Sequence, residues 1–118
     1  MSCDDPLAVG DRLLLPVDRH FEMVKVESIE SIFAAGDYSE VHLSCGLHLF
    51  VLRSLLEWQN RLPEKLFVRV HRSIILNLDC IDRVEEWFNG SFRIHLRNGR
   101  PPVISSRRYS SQLRARFR

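Results

Sequence analysis

Apolar positions along the chain fall into short alternating runs rather than long helical stripes. Leu13 to Pro16 and Phe21 to Val26 read as short strands, and Ile29 to Ala34 as another. That third run stops at Ala35-Gly36-Asp37, a loop whose glycine permits positive φ. Tyr38 to Leu43 and Leu47 to Val51 flank Ser44-Cys45-Gly46. Val41 and Leu43 alternate with polar neighbours, as do Leu47, Leu49 and Val51, which predicts a hairpin. Phe67 to Val70 resumes a strand, and from Ile81 the pattern is a meander. Asn89-Gly90 and Asn98-Gly99 are two-residue turn signals in which both positions take φ > 0. Between them Phe92, Ile94 and Leu96 face one way, and Arg93, His95 and Arg97 the other. Pro101-Pro102 withholds ladder donors, so Val103 and Ile104 are expected on an edge strand.

Helical spacing is confined to a few places. Ser54-Leu55-Leu56-Glu57 is a capping box that opens a helix through about Arg61, ended by Pro63, with Leu55, Trp58 and Leu62 on its buried face. Ser73 is expected to cap a single helical turn over Ile74 to Asn77. After Ser105-Ser106, the spacing of Tyr109, Leu113 and Phe117 predicts a terminal helix docking one apolar stripe on the sheet. Residues 1–11, broken by Pro6 and Gly10, read as an irregular lead-in to one domain over residues 12–118. Many short strands with two short helices make a mainly β domain.

Length and composition fit one soluble globular domain: 118 residues, 45% hydrophobic and 27% charged. No apolar run approaches the roughly 20 residues needed to span a bilayer. The start, MSCDDPLAVGD, carries acids where a signal peptide wants positive charge, so a cytoplasmic chain with no membrane association is expected. Cys3, Cys45 and Cys80 are odd in number and widely spaced, as suits reduced thiols.

Charge changes the picture more. All fifteen acids lie at or before Glu86, and the charged side chains beyond it are eight arginines. The first 86 residues sum to −6 and the remainder to +8, a split hidden by the net +2. Such a field suits polyphosphate, although a solvated cationic surface is the plain alternative. Fifteen of the seventeen basic residues are arginine, whose planar fork fits phosphate or a guanine edge. A GC-rich genome would produce the same bias.

Phe67 to Leu78, FVRVHRSIILNL, with Ile81 following, resembles the signature of the LytTR DNA-binding domain of bacterial transcription regulators, F-x-R-x-H-R-S-hydrophobic-x-V-N. Upstream, Ala34-Ala35-Gly36-Asp37-Tyr38 followed by Val41-His42-Leu43 resembles that family's E-A-x-x-D-Y element. Arg53-Ser54-Leu55 resembles its R-x-S-L approach to the first helix, with the arginine one place nearer the serine. Asn98-Gly99 and Ser105-Ser106-Arg107-Arg108-Tyr109 resemble its d-G-x-x-v-p-v-S-R-r-Y ending, so the likeness runs from about Leu13 to Phe117. An alanine near Ala34 replaces the usual acid, and Leu76 the usual valine. The resemblance implies an elongated stack of small antiparallel sheets with two short helices. It also implies loops, rather than a recognition helix, entering successive grooves, and dimers that bind paired sites and bend the DNA. The 118 residues leave no room for the phospho-receiver domain that commonly precedes this domain, so the expectation is a protein that acts without phosphorylation or as one part of a larger system.

Site residues follow from the resemblance. Arg107 is expected to reach base edges in the major groove; the alternative is a solvated helix-start arginine. Ser105, Ser106 and Arg108 are expected at phosphate through hydroxyl, backbone N–H and charge, helped by a helix N-terminus. Arg72 is expected to contact DNA. His71 is read first as structural, with phosphate contact as its alternative, and Arg69 is open to either. The Gly36-Asp37-Tyr38 loop is a third contact region, where Asp37 would accept from a cytosine amino group and Ser39 donate to phosphate. Tyr38 is expected in the core, and Asn77 as a capping or buried polar residue. Arg93 and Arg97 would be phosphate ligands if their face meets DNA, while Arg114, Arg116 and Arg118 add field. His42, Cys45 and His48 have a spacing that zinc can use, but no fourth ligand is evident and no metal is expected. No nucleophile–base pair, G-x-S-x-G or phosphate-cradling glycine loop appears, so neither an enzyme nor a cofactor or small-molecule substrate is expected. The expected function is a sequence-specific double-stranded DNA-binding regulator acting as a homodimer. One rival is a stand-alone interaction module that pairs with and antagonises a full-length regulator. The other is a single-strand or RNA binder, which would need exposed aromatics where these positions look core-like.

Overall fold

Among residues 6–117, the part of the chain that the computed structural model describes, ten strands and two α-helices build three antiparallel sheets. β1 (Arg12–Val17) and β2 (His20–Lys25) form a hairpin turned at Asp18, φ 58°. β3 (Ile29–Ala35), β4 (Tyr38–Leu43), β5 (His48–Val51), β6 (Phe67–His71) and β7 (Ile74–Asn77) make the central sheet in the order β5-β4-β3-β7-β6. β8 (Ile81–Glu86), β9 (Phe92–Leu96) and the edge strand β10 (Val103–Ile104) make the third, in the order β10-β9-β8. Helix α1 (Leu55–Arg61) joins β5 to β6, and α2 (Arg107–Arg116) follows β10. With extents of 43 × 27 × 27 Å, the molecule is the elongated, mainly β stack expected from the sequence.

The central sheet is buried on both faces at β6 and β7, while β5 leaves His48 and Phe50 exposed on one face. Strand alternation sends Phe67 and Ile75 into a core with Leu15, Val26, Ile32 and Trp58, beneath α1 and the β1–β2 hairpin. Val68, Val70 and Leu76 turn the other way, against Ile94, Val103 and Leu113 of the third sheet and α2. Helix α1 starts because the Ser54 hydroxyl accepts from Glu57 N–H at 3.2 Å, and it stops just before Pro63. Trp58 on that helix is fully buried, and its indole N–H donates to Ser39 Oγ at 2.7 Å. Ser39 therefore has no exposed hydroxyl for a phosphate. Its inward position follows from the register Ser39↔Val51, which the run of residues around it does not disclose. Ser39→Ala is expected to cost about 1–3 kcal/mol of stability by orphaning the indole N–H. Denaturant melts check this, and an unchanged midpoint would refute it.

Several local expectations are corrected. Ile74 to Asn77 is a strand, not a helical turn, because it is hydrogen-bonded on both sides, to β3 and to β6. The helical turn lies one step later, a 3₁₀ turn over Leu78–Cys80 capped by the Asn77 side chain on Asp79 N–H. Asn77 is buried and also donates to the Ile29 carbonyl at 2.9 Å. Asn89 and Gly90 both have positive φ, as the hairpin signal predicts. At Asn98-Gly99 only the glycine does, because the Asn98 side chain accepts from Arg100 N–H and makes an Asx turn instead. Tyr38 is 49% exposed, since β4 begins there just beyond the turn. Leu47 is exposed in the turn before β5. On α2 the buried residues are Ser110 and Leu113, while Phe117 leaves the helix and is 56% exposed.

Met1 to Asp5, Cys3 among them, and Arg118 lie outside the described residues. The remaining lead-in is irregular but tied down: Leu7 N–H bonds the Arg61 carbonyl at 2.7 Å, and Gly10 N–H bonds Glu27 at 2.7 Å. That Gly10 bond lowers the Glu27 carboxyl below its ordinary range. Among the described residues no helix is long and apolar enough to cross a membrane. Cys45 is exposed, whereas burial and the neighbouring Glu30 and Asp79 push the Cys80 thiol up to about 11.

Candidate nucleic-acid interface

Three connecting turns, far apart in sequence, lie side by side at one end of the central sheet. β3 pairs with β7 up to Phe33↔Ile74, and one step further Ala34 N–H bonds the Ser73 carbonyl at 2.9 Å. This sets the β3–β4 turn, with Gly36 at φ 63° and exposed Asp37, beside the β6–β7 turn. On the other side Ser106 N–H bonds the Val70 carbonyl of β6 at 3.0 Å. Arg72 lies two residues from that bond and Arg107 one, so their backbones can be no further than roughly 18 Å apart. A major groove is about 12 Å wide, so both side chains can address one duplex.

The middle turn is braced from below. His71 Nδ1 accepts from Ser73 N–H at 3.2 Å and lies 2.8 Å from Ser73 Oγ, so the ring shapes the turn, the structural role read first for it. Arg69 bonds the carbonyl of Arg72, donates to Gln59 Oε1 at 2.9 Å, and lies 5.5 Å over the Tyr109 ring. Arg69 is therefore a strut between the turn and α2. Arg72 at the tip is exposed.

The start of α2 is pinned by both serines. Ser105 is buried; its Oγ accepts from Phe92 N–H at 2.9 Å and lies 2.5 Å from Ser110 Oγ. Ser106 is the N-cap, its hydroxyl accepting from Tyr109 N–H at 3.4 Å while its own N–H is taken by Val70. Ser105 has neither group left for a phosphate, while Ser106 has spent its N–H and keeps its hydroxyl proton to donate. Those bonds go to partners on β6, β9 and α2 that sequence neighbours do not reveal. Arg107 and Arg108 occupy the first turn, exposed, in a helix with no acid there. Helix geometry leaves their backbone N–H groups without intrahelical acceptors.

Ion pairing sorts the arginines. Among the described residues, Arg72, Arg107 and Arg108 enter no ion pair. Arg93 and Arg97 do: the β8–β9 register sets Arg93 against Glu85 at 3.7 Å, and Arg97 lies 3.4 Å from Asp82. β8 thus sets an acid against each of the two, so a phosphate on that face would compete with Glu85 and Asp82. Glu85 also holds His95 Nε2 at 2.6 Å, and that bond lowers its carboxyl below the ordinary range. Arg114 is 3.6 Å from Glu86, and Arg116 bonds the carbonyls of Glu64 and Phe67.

Two residues missed in the sequence belong beside this cluster. Trp87 and Phe88 directly precede the Asn89-Gly90 tip, and Phe88 is 73% exposed. An open groove of about 510 Å³ runs between that tip and α2, lined by Asn89, Gly90, Arg107, Arg108, Ser111 and Arg114. The available signal was two aromatics directly before a turn, a place that packs poorly. Other aromatics are exposed as well (Phe21 and Phe50 among them), but on β2 and β5, not in a row along the arginines.

Comparison with known proteins gives a consistent result. The family model described as the LytTr DNA-binding domain matches residues 19–118. The Sensory transduction protein LytT of Bacillus anthracis is 28% identical over 115 residues, covering 97% of this chain and 46% of that protein. The Enterococcus faecalis protein of the same name is 32% identical over 101 residues, covering 85% and 38%. The Transcriptional regulatory protein LytR of Staphylococcus aureus is 30% identical over 87 residues, covering 74% and 35%. The chain thus spans less than half the length of these relatives. A solved LytTr DNA-binding domain from Bacillus cereus superposes with a TM-score of 0.79 at 25% identity, over 88% of this chain and 94% of that one.

Proposed function

Because this chain belongs to the LytTr DNA-binding domain family, we propose that it is a sequence-specific double-stranded DNA-binding transcription regulator, cytoplasmic and dimeric on paired sites. The observation that carries this is the line of three turns, two of which bear Arg72 and the Arg107–Arg108 pair, all three arginines exposed and outside any ion pair among the described residues. Arg107 and Arg72 read base edges, where a bidentate guanidinium–guanine pair fits groove geometry. Arg108 and the free N–H groups at the start of α2 hold a phosphate. Asp37 on the flanking turn accepts from a cytosine amino group. The working unit is residues 12–118, with 1–11 as a lead-in.

Arg107 and Arg108 stand where a helix favours acids, and the fold's return from Arg108 is a guanidinium 5.7 Å over the Tyr109 ring. Arg108→Glu is expected to leave stability nearly unchanged, a helix-terminus gain of roughly 0.3–1 kcal/mol offsetting loss of the Tyr109 contact, while weakening duplex binding uniformly across sequences. Thermal melts and titration with labelled duplex read the two effects. Loss of both stability and binding would make Arg108 a structural residue.

Selection from a random duplex library, followed by footprinting of the enriched sites, tests the whole reading. An enriched motif protected on one side of the duplex is expected; no enrichment over input would refute it. One observation favours the rival interaction module. Leu14, Phe21 and Met23 are exposed on the outer face of the β1–β2 hairpin, where Leu14 pairs with Met23 and Pro16 with Phe21. Such a module, acting only through a regulator, would leave no footprint alone.

A further inference from the structure

β4 and β5 set His42 directly opposite His48, and the two imidazoles stack with centroids 4.0 Å apart. Glu40, two residues before His42 on the same strand, projects from the same face. Its Oε1 lies 3.1 Å from His42 Nε2 and 3.4 Å from His48 Nδ1. His42 is buried, and its Nε2 makes no hydrogen bond despite that approach. The carboxylate oxygen is near enough, but off the line along which a ring N–H would donate.

We propose that Glu40, His42 and His48 form a binding site for a divalent transition cation of the zinc type. Two imidazoles and a carboxylate are a zinc-binding set that leaves a fourth position open. Ligands held at about 2.0–2.1 Å in a tetrahedron stand about 3.3 Å from one another. The 3.1 and 3.4 Å separations match that spacing. Off-line nitrogens are also what a shared third centre produces, since each lone pair then points at the ion and not at the neighbouring ligand. Spacing along the chain offered Cys45 as the partner of the two histidines. The fold instead turns Cys45 out on the hairpin loop and supplies Glu40 from the strand.

Arg100, on the connection from β9 to β10, competes for this site. Its guanidinium bonds His42 Nδ1 and lies 2.9 Å from His48 Nε2. Guanidinium only donates, so those nitrogens accept, and the ring protons sit on His42 Nε2 and His48 Nδ1. A bound cation needs the lone pairs of those same two atoms. Binding therefore exchanges both tautomers, each ring keeping one proton, and brings N–H groups against Arg100. The guanidinium then has no acceptor and faces a second positive charge, so it leaves for solvent. Arg100 and the cation are alternative occupants of one cluster built around Glu40.

Calorimetric titration of the 118-residue chain with zinc chloride at neutral pH tests this. One equivalent is expected to bind. His48→Ala, at an exposed position, and Glu40→Gln should each weaken binding at least roughly tenfold, and Arg100→Ala should tighten it by a similar factor. Cys45→Ser should change nothing. The proposal is overturned if neither the natural chain nor Arg100→Ala binds zinc saturably, or if Arg100→Ala binds no tighter. It is equally overturned if Cys45→Ser loses the ion while His48→Ala keeps it.

Discussion

Raising salt from 50 to 200 mM is expected to weaken duplex binding roughly a thousandfold. Neutralising about six phosphates gives a log–log slope near −5, because each contact releases most of one condensed counterion. Six is a reasonable number for this surface. Over two protomers Arg108 and the N-terminus of α2 supply about four phosphate contacts, and about eight if Arg72 and Arg107 also touch the backbone beside the bases they read. The effect should be largely independent of sequence, since phosphates carry no sequence information. Fluorescence anisotropy across a salt series measures the slope directly. A value near zero would mean that the unpaired arginines do not face DNA, and the proposed function would fall with it.

Arg107→Ala should sharply reduce preference for a selected site over random duplex while leaving much of the nonspecific affinity. The discrimination carried by one bidentate guanidinium–guanine pair is about 1–3 kcal/mol, or roughly 5- to 150-fold. The substitution should not disturb the fold. Arg107 is exposed, and the bonds that seat the start of α2 come from Ser105 and Ser106. The measurement is a ratio of affinities, specific over random, for the natural chain and the variant at one salt concentration. An unchanged ratio with lower absolute affinity would place Arg107 on phosphate, and base reading would then pass to Arg72.

Part of the interface was legible in the sequence and part was not. Arg72 and Arg107 were reached through motif resemblance, and their turns prove to be neighbours through Val70 and Ser106. Ser105 was misjudged because a hydroxyl is equally suited to a phosphate or to an internal partner, and only its surroundings choose. Ser105 has Phe92 and Ser110 within reach, and Ser106 has Tyr109. Arg93 and Arg97 looked like a cationic face because alternation along β9 says nothing of β8. The register sets Glu85 opposite Arg93 and cancels much of that charge. Phe88 went unnoticed for the converse reason: an aromatic in an alternating region reads as core unless its place at a hairpin tip is known.

Residue order by itself determined the strand runs, the Ser54 cap, the Asn89-Gly90 hairpin and the motifs of the family. Each depends on interactions reaching only a few residues along the chain. Tertiary structure alone decided which polar groups remain available to a partner. Ser39 is consumed by an indole 19 residues away, and His42 meets an arginine 58 residues away. Hydrogen bonds and ion pairs are satisfied by whatever the fold brings within about 3–4 Å, and that proximity is not written in local spacing.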